Sequence, residues 1–378
     1  MRAAAGPLFA FAAFGSFWGA WGVLVPEIKD QVGASVTQLG VAFLAVAIAA
    51  LPAMLLAGRV VDRVGPRVMP LFLALFGVAA VLPGLTDSVW QLALTLVFVG
   101  VTTGAVDVVI NVAATNVETS GGPRVMQIAH ALFSAGFLVA AIAVGLARGA
   151  GAEPLPILLG VGALMLVSAA VNRGYPEVRR APAQRRFALS RRLLVLGLLC
   201  GVAFVVEGGI ENWSALFLET ELDASPAVSA LGPGFFAAAM VVGRVLGQWL
   251  ELRVGDRRLL AAGGLIAAAG LALAAQADAL PLALLGFAFG GAGISVAAPT
   301  LFGAAGRGAS PAERGSSVAS VTTISYLGFV VGPPLIGAVS GATDLRAGIS
   351  LLAGIALLLG VAASASRQAL PAEQHRHP

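Results

Sequence analysis

The sequence is poor in the residues that most enzymes and metal proteins depend on. Cysteine occurs once, at Cys200 inside an apolar run, which excludes an intrachain disulfide and a thiolate metal cluster. Histidine occurs three times, and His375 and His377 fall in the last four residues, so no metal site is indicated. Lysine occurs once, as Lys29, beside 22 arginines, a usage that fits a high-GC bacterial genome. No phosphate-binding Walker loop and no Ser-His-Asp set on facing loops is present. The chain is therefore read as not an enzyme, with no cofactor and no metal. Charge is scarce as well: 11% of residues are charged, against about 25% in soluble domains. What fills the space is apolar, at 58% of residues and a mean hydropathy of +0.92. Polar residues this few cannot cover the apolar surface, so the expected class is an all-α polytopic membrane protein. The net charge of +4 does not mark a nucleic-acid binder, because the arginines lie scattered in short polar breaks.

A spanning helix needs about 20 apolar residues. Twelve such runs fall near 6–27, 36–57, 68–86, 89–113, 126–149, 154–172, 193–218, 228–250, 259–276, 280–304, 316–341 and 345–365. Turn residues separate them, among them Gly33-Ala34-Ser35, Pro83-Gly84 and Ser225-Pro226. With the N-terminus inside, 19 of the 23 Lys and Arg lie in inner segments. The outer segments hold only Lys29, Arg148 and Arg346, and Arg244 lies within a helix. This bias predicts both termini on the cytoplasmic side of a bacterial inner membrane. Residues 173–192 carry seven arginines and read as a basic cytoplasmic linker between six-helix halves at 1–172 and 193–365, with 366–378 as a tail. The halves repeat at an offset of 190, which lays Gly33-Ala34-Ser35 on Asp223-Ala224-Ser225 and Arg63-Val64-Gly65 on Arg253-Val254-Gly255. Glycines four residues apart, such as Gly15 and Gly19 or Gly100 and Gly104, read as tight helix packing.

The break between the second and third runs is a charged island, Gly58-Arg59-Val60-Val61-Asp62-Arg63-Val64-Gly65-Pro66-Arg67. In register, Gly58, Asp62, Arg63, Gly65 and Arg67 resemble the G-x-L-A-D-R-x-G-R-K/R motif of the major facilitator superfamily. Pro66 departs from it, standing where that family has Arg or Lys. The resemblance implies a transporter of two pseudo-symmetric six-helix halves, with helices 1, 4, 7 and 10 lining a central cavity and solute moved by alternating access. It also implies that Asp62 helps hold the outward-facing state, and that Arg244, in a Gly-Arg pair of helix 8, helps latch the halves.

Ionisable residues inside spans are costly and so need a reason. Asp107 lies in helix 4, with Asn111 one turn on along the same face. Glu207 is near the middle of helix 7; Glu211, Asn212 and Trp213 follow. Two carboxylates one turn apart in low dielectric do not readily both ionise, so one is protonated or Arg244 compensates one of them. A carboxyl in an apolar cavity can take part in proton exchange, which makes Asp107, Glu207 and Glu211 the candidate coupling acids. His130, one turn into helix 5, is either a proton relay or a helix-end histidine near Arg124. Asp107-x-x-x-Asn111 resembles the Glu-x-x-x-Asn of helix 4 in fucose-permease-type sugar–proton symporters. Gly104-Ala105-Val106-Asp107 and the Glu207–Ser214 segment resemble YbjJ-like facilitators. Trp18 and Trp21 in helix 1 and Trp213 in helix 7 sit deeper than an aromatic belt, and are candidates to stack on a solute with Asn111 and Asn212. Helix 10 adds Ser295, Pro299 and Thr300.

The expected function is secondary active transport of a small organic solute, a sugar or similar polar metabolite, coupled to protons by symport. Helix 4 has no arginine and helix 5 no Gly-Pro pair, so the signatures of drug–proton antiporters are missing. Proton-driven efflux of a drug or metabolite stays as the alternative. The expected partners are the solute, protons and the lipid bilayer, with the chain acting as a monomer.

Overall fold

The computed structural model describes residues 2–119, 125–174, 190–309, 314–366 and 368–370. Residues 175–189 of the expected linker and 371–378 of the expected tail lie outside the described residues. Among the described residues all regular structure is helical, and twelve helical spans are long and apolar enough to cross a membrane. They are α1 (Arg2–Gln31), α2 (Val36–Val64), α3 (Pro66–Leu85), α4 (Val89–Thr119), α5 (Met126–Gly149), α6 (Pro154–Val171) and α7 (Arg191–Leu222). There follow α8 (Pro226–Ser229 and Leu231–Val254), α9 (Asp256–Ala275), α10 (Leu280–Ile294 and Ala297–Arg307), α11 (Arg314–Ser325 and Leu327–Ala342) and α12 (Leu345–Ala365). Each overlaps one apolar run of the sequence. Two helices overshoot their runs, α2 by reaching Val64 and α4 by reaching Thr119; in α2 helical hydrogen bonding continues into polar residues until Gly65 stops it.

Two of the split helices break one turn before a proline. Pro233 cannot donate to the Ser229 carbonyl, and α8 is interrupted at Ala230. Pro299 likewise leaves the Ser295 carbonyl, and α10 is interrupted at Ser295 and Val296.

The internal repeat is visible in the backbone. Left-handed residues occur at Gly33 and Asp223, with φ of 63° and 49°, and at Gly65 and Gly255, with φ of 74° and 78°. Each pair is separated by the repeat offset of 190. Gly65 ends α2 by donating its N–H to the Val61 carbonyl at 2.8 Å, and Gly255 ends α8 by donating to Glu251 at 3.0 Å. Two residues after the first pair come the helix-start serines. Ser35 caps α2 by accepting from the Gln38 N–H at 3.2 Å, while the Gln38 side chain accepts the Ser35 N–H at 2.9 Å. Ser225, in the same extended conformation, precedes Pro226 at the start of α8.

The chain divides into two compact units, Met1–Ala183 with Ala215–Gly234, and Gln184–Ser214 with Phe235–Pro378. In the first, α1 packs on α5, α2 on α4 and α3 on α6. In the second, Gly328 of α11 sits on the Gly201 carbonyl of α7, Gly243 of α8 faces Ala292 of α10, and α9 packs on α12. The same three pairings thus recur. Hydrocarbon offers no hydrophobic drive for helix association, so close approach through small residues supplies the contact energy. Large apolar residues turn outward instead: Val41, Ile48 and Leu55, seven residues apart along α2, are each more than half exposed. Such a stripe suits acyl chains and would be a liability in water.

A Cβ on Gly19 would overlap the Phe137 carbonyl across the α1–α5 contact, whereas a Cβ on Gly160 of α6 meets nothing within 4 Å. Gly19→Val is expected to destabilise the detergent-purified protein by about 1–3 kcal/mol, read as a clear fall in melting temperature by size-exclusion fluorescence. Gly160→Ala is expected to leave the melt unchanged.

Candidate functional site

Two polar constellations lie in the middle of otherwise apolar spans, one in each unit. In the first unit, the face of α4 carries Thr103, Asp107, Asn111 and Thr115 at four-residue spacing, so they stack along one side of the helix. Asn111 donates its Nδ2 to the Asp107 carbonyl at 2.8 Å and to Asp107 Oδ1 at 3.1 Å. Thr115 returns its hydroxyl to the Asn111 carbonyl at 2.8 Å. The Thr103 hydroxyl is buried and makes no hydrogen bond among the described residues. Asp107 and Asn111 are both half-buried. The pairing of Asp107 with Asn111 follows from their spacing. Thr115 carries no such signal in the sequence, because threonines that bond their own helix are ordinary in spans.

In the second unit, Glu207, Glu211 and Asn212 lie half-buried in the middle of α7. Arg244 of α8 places Nη2 3.5 Å from Glu207 Oε1, a long ion pair whose side chains are 28% and 15% exposed. Asn212 bonds back to the Gly208 carbonyl at 2.8 Å. Glu211 lies one turn further along the same face.

The aromatic candidates divide by burial. Trp18 is half-buried, edge-on to Phe17 at 5.2 Å and to Phe14 at 6.4 Å. Trp21 is 3% exposed, stacked on Phe17 at 6.2 Å and edge-on to Phe43 at 5.8 Å. Trp213 is fully buried. On α10, Ser295 and Thr300 are each 1% exposed, and the Ser295 hydroxyl bonds the Ala292 carbonyl beside Gly243. His130 of α5 is exposed, with its ring edge-on to Phe11 at 5.3 Å.

The charged island takes its shape from the α2 terminus. Gly58 is buried, Arg63 and Arg67 are exposed, and Gly65 supplies the reversal. The Asp62 side chain lies outside the described residues. The second copy of the island has its own charge group: Arg307, at the end of α10, pairs with Glu251 at 3.1 Å and with Asp256 at 2.5 Å. Asp256 occupies the position 190 residues after Pro66.

One further group escaped the sequence reading. Arg148, counted there as an outer loop charge, is 1% exposed in its side chain. It ion-pairs with Glu27 of α1 and with Glu219 of α7, the latter at 2.6 Å, and donates to Ser229 Oγ at 3.1 Å and to the Val23 carbonyl at 2.7 Å. Glu219 and Val23 lie 71 and 125 residues away in sequence, beyond the reach of any local pattern.

The sequence compares with known proteins along nearly its whole length. The profile of the Major Facilitator Superfamily matches residues 8–251 and 199–378. An uncharacterized MFS-type transporter of Yersinia pestis is 34% identical over 344 residues, covering 89% of this chain and 88% of that one. Membrane protein MosC of Rhizobium meliloti is 30% identical over 342 residues, covering 89% and 83%. Among solved structures, a mutant form of the nucleoside transporter NupG superposes with a TM-score of 0.81 at 15% identity, over 97% of this chain and 99% of that one. A bacterial homologue of the human lysosomal transporter Spinster, inward-facing and occupied, gives 0.76 at 17% identity over 97% and 96%. These two likenesses speak to the fold. The profile over nearly the whole chain and the Yersinia relative, together with twelve spans in a repeated three-pair packing, settle the family: the chain belongs to the Major Facilitator Superfamily, a family of secondary transporters.

Proposed function

We propose that the chain moves a small polar solute, a sugar or similar metabolite, by proton-coupled symport, and that within the superfamily it stands with the YbjJ-like and fucose-permease-like members. The observation that carries this reading is the α4 stripe, in which a carboxylate at mid-span accepts from a neutral amide one turn away. Membrane interiors retain such groups where ions or protons pass. Asp107 is the main coupling acid in this reading. Glu207 shares its charge with Arg244, which suits a latch or a second relay, and Glu211 stands beside it. Half-buried Trp18, Asn111 and Asn212 are assigned to solute contact. Buried Trp21, Trp213, Ser295 and Thr300 would back them from the packed side. The turn from Gly58 through Asp62, Arg63 and Gly65 to Arg67 takes the gating role, with Arg244 as its counterpart in the second half.

The halves are 1–172 and 193–365, joined by a cytoplasmic linker at 173–192, with both termini cytoplasmic. Reporter fusions at Asp87 and Arg180 are expected to report opposite sides of the inner membrane. The same side for both would refute this topology.

Coupling is tested in proteoliposomes against a panel of labelled monosaccharides, with and without a proton gradient. Asp107→Asn is expected to abolish gradient-driven accumulation, by on the order of a hundredfold, and to spare solute exchange, which needs no net proton movement. Accumulation retained in Asp107→Asn but lost in Glu207→Gln would move the coupling site to α7. Accumulation retained in both would remove proton coupling, and outward pumping of the solute would favour efflux.

A further inference from the structure

The sequence repeat and the packing part company at residues 215–234. By the offset of 190, residues 215–234 belong with the second half, as counterpart of 25–44. In the structure they group with α1–α6. The hairpin formed by the end of α7 and the start of α8 lies against α5, where a Cβ on Gly145 would overlap Ala230 and one on Gly149 would come 2.7 Å from the Ala227 Cβ. Arg148 sits between these two glycines. Its guanidinium holds Glu27 on the α1 side and Glu219 on the hairpin side, and Ser229 donates to the same Glu219 oxygen at 2.6 Å.

The small residues account for the close fit of this hairpin but not for its buried charges. A buried ion group gains little over an apolar contact while closed, because desolvation offsets the attraction. On opening, water rehydrates all three charges, whereas a parted apolar seam gains nothing. A charge cluster therefore makes a contact that is specific when shut and inexpensive to release. Arg346 shows the contrast. It is 28% exposed and bonds within its own unit, to the Ala275 and Ala277 carbonyls and Asp278.

We infer that Arg148 is a positioning residue of the transport cycle: with Glu27 and Glu219 it clasps the 215–234 hairpin to α1 and α5, closing this end of the protein in one state and releasing it in the other. The inference rests on the alternating-access reading above, but needs neither the solute nor proton coupling to be as proposed there.

The test is Ala230→Cys in a Cys200→Ser background, reconstituted in nanodiscs so that both faces are open to reagent. Ala230 is 3% exposed and faces Gly145. With Arg148 intact, a membrane-impermeant maleimide is expected to label it slowly. Arg148→Gln is expected to raise the rate on the order of tenfold at temperatures well below the melt, and Arg148→Lys by much less. An unchanged rate in a folded Arg148→Gln protein, with only a lower melting temperature, would show a merely structural role and overturn the clasp. If Arg148→Gln does not fold, Glu219→Gln, which keeps the shape and removes one charge, must raise labelling several-fold; no rise overturns the inference. Labelling uses no solute and no gradient, so failure of the coupling proposal leaves this result unaffected.

Discussion

Hydrocarbon cannot hydrate a charge, and that constraint organises this protein. It keeps most arginines out of the spans and draws several of the polar groups at depth into bonded sets. Asn111 is bonded to Asp107, Glu207 is met by Arg244, and Asn212 turns back on its own helix. The hydroxyls of Thr102, Thr115 and Thr322 donate to carbonyls one turn earlier, so bonding within the helix already accommodates them in a span. With much of the polar bonding internal to each helix, close backbone approach between helices runs through small residues such as Gly19, Gly243 and Gly328, and the same three helix pairings arise in both units.

Charge groups with the same chemistry then differ in worth according to burial. Arg307 binds two carboxylates but is 46% exposed, and pairs of that kind are worth about 0–1 kcal/mol. Arg148 also binds two carboxylates with 1% exposure, and removing one partner of so buried a set costs about 3–5 kcal/mol. The first group ties a turn together at the protein surface. The second joins α1 and α5 to the hairpin between α7 and α8.

The spans and the repeat are legible in the sequence because each depends on a one-dimensional property. Apolar run length sets where a helix crosses, and the offset of 190 sets the positions of Gly33, Gly65, Asp223 and Gly255. Asp107 with Asn111 is legible because one helical turn joins them. Azimuth is not legible. Trp18 and Trp21 lie at similar depth in α1, yet one is half-buried and the other is closed in by Phe17 and Phe43, a difference set by helix rotation. The burial of Arg148 is not legible, because a count of charges per side cannot distinguish an arginine in water from one folded inward onto distant acids.

The fold is that of a transporter, and the α4 carboxylate is the group proposed to couple it to protons. The most direct test is proton movement itself. Proteoliposomes loaded with a pH-sensitive dye, in the absence of an imposed gradient, are given the first solute that the protein is found to exchange. Solute entry is expected to acidify the lumen, with the signal lost in Asp107→Asn. Solute accumulation with no change in luminal pH would contradict proton coupling through Asp107.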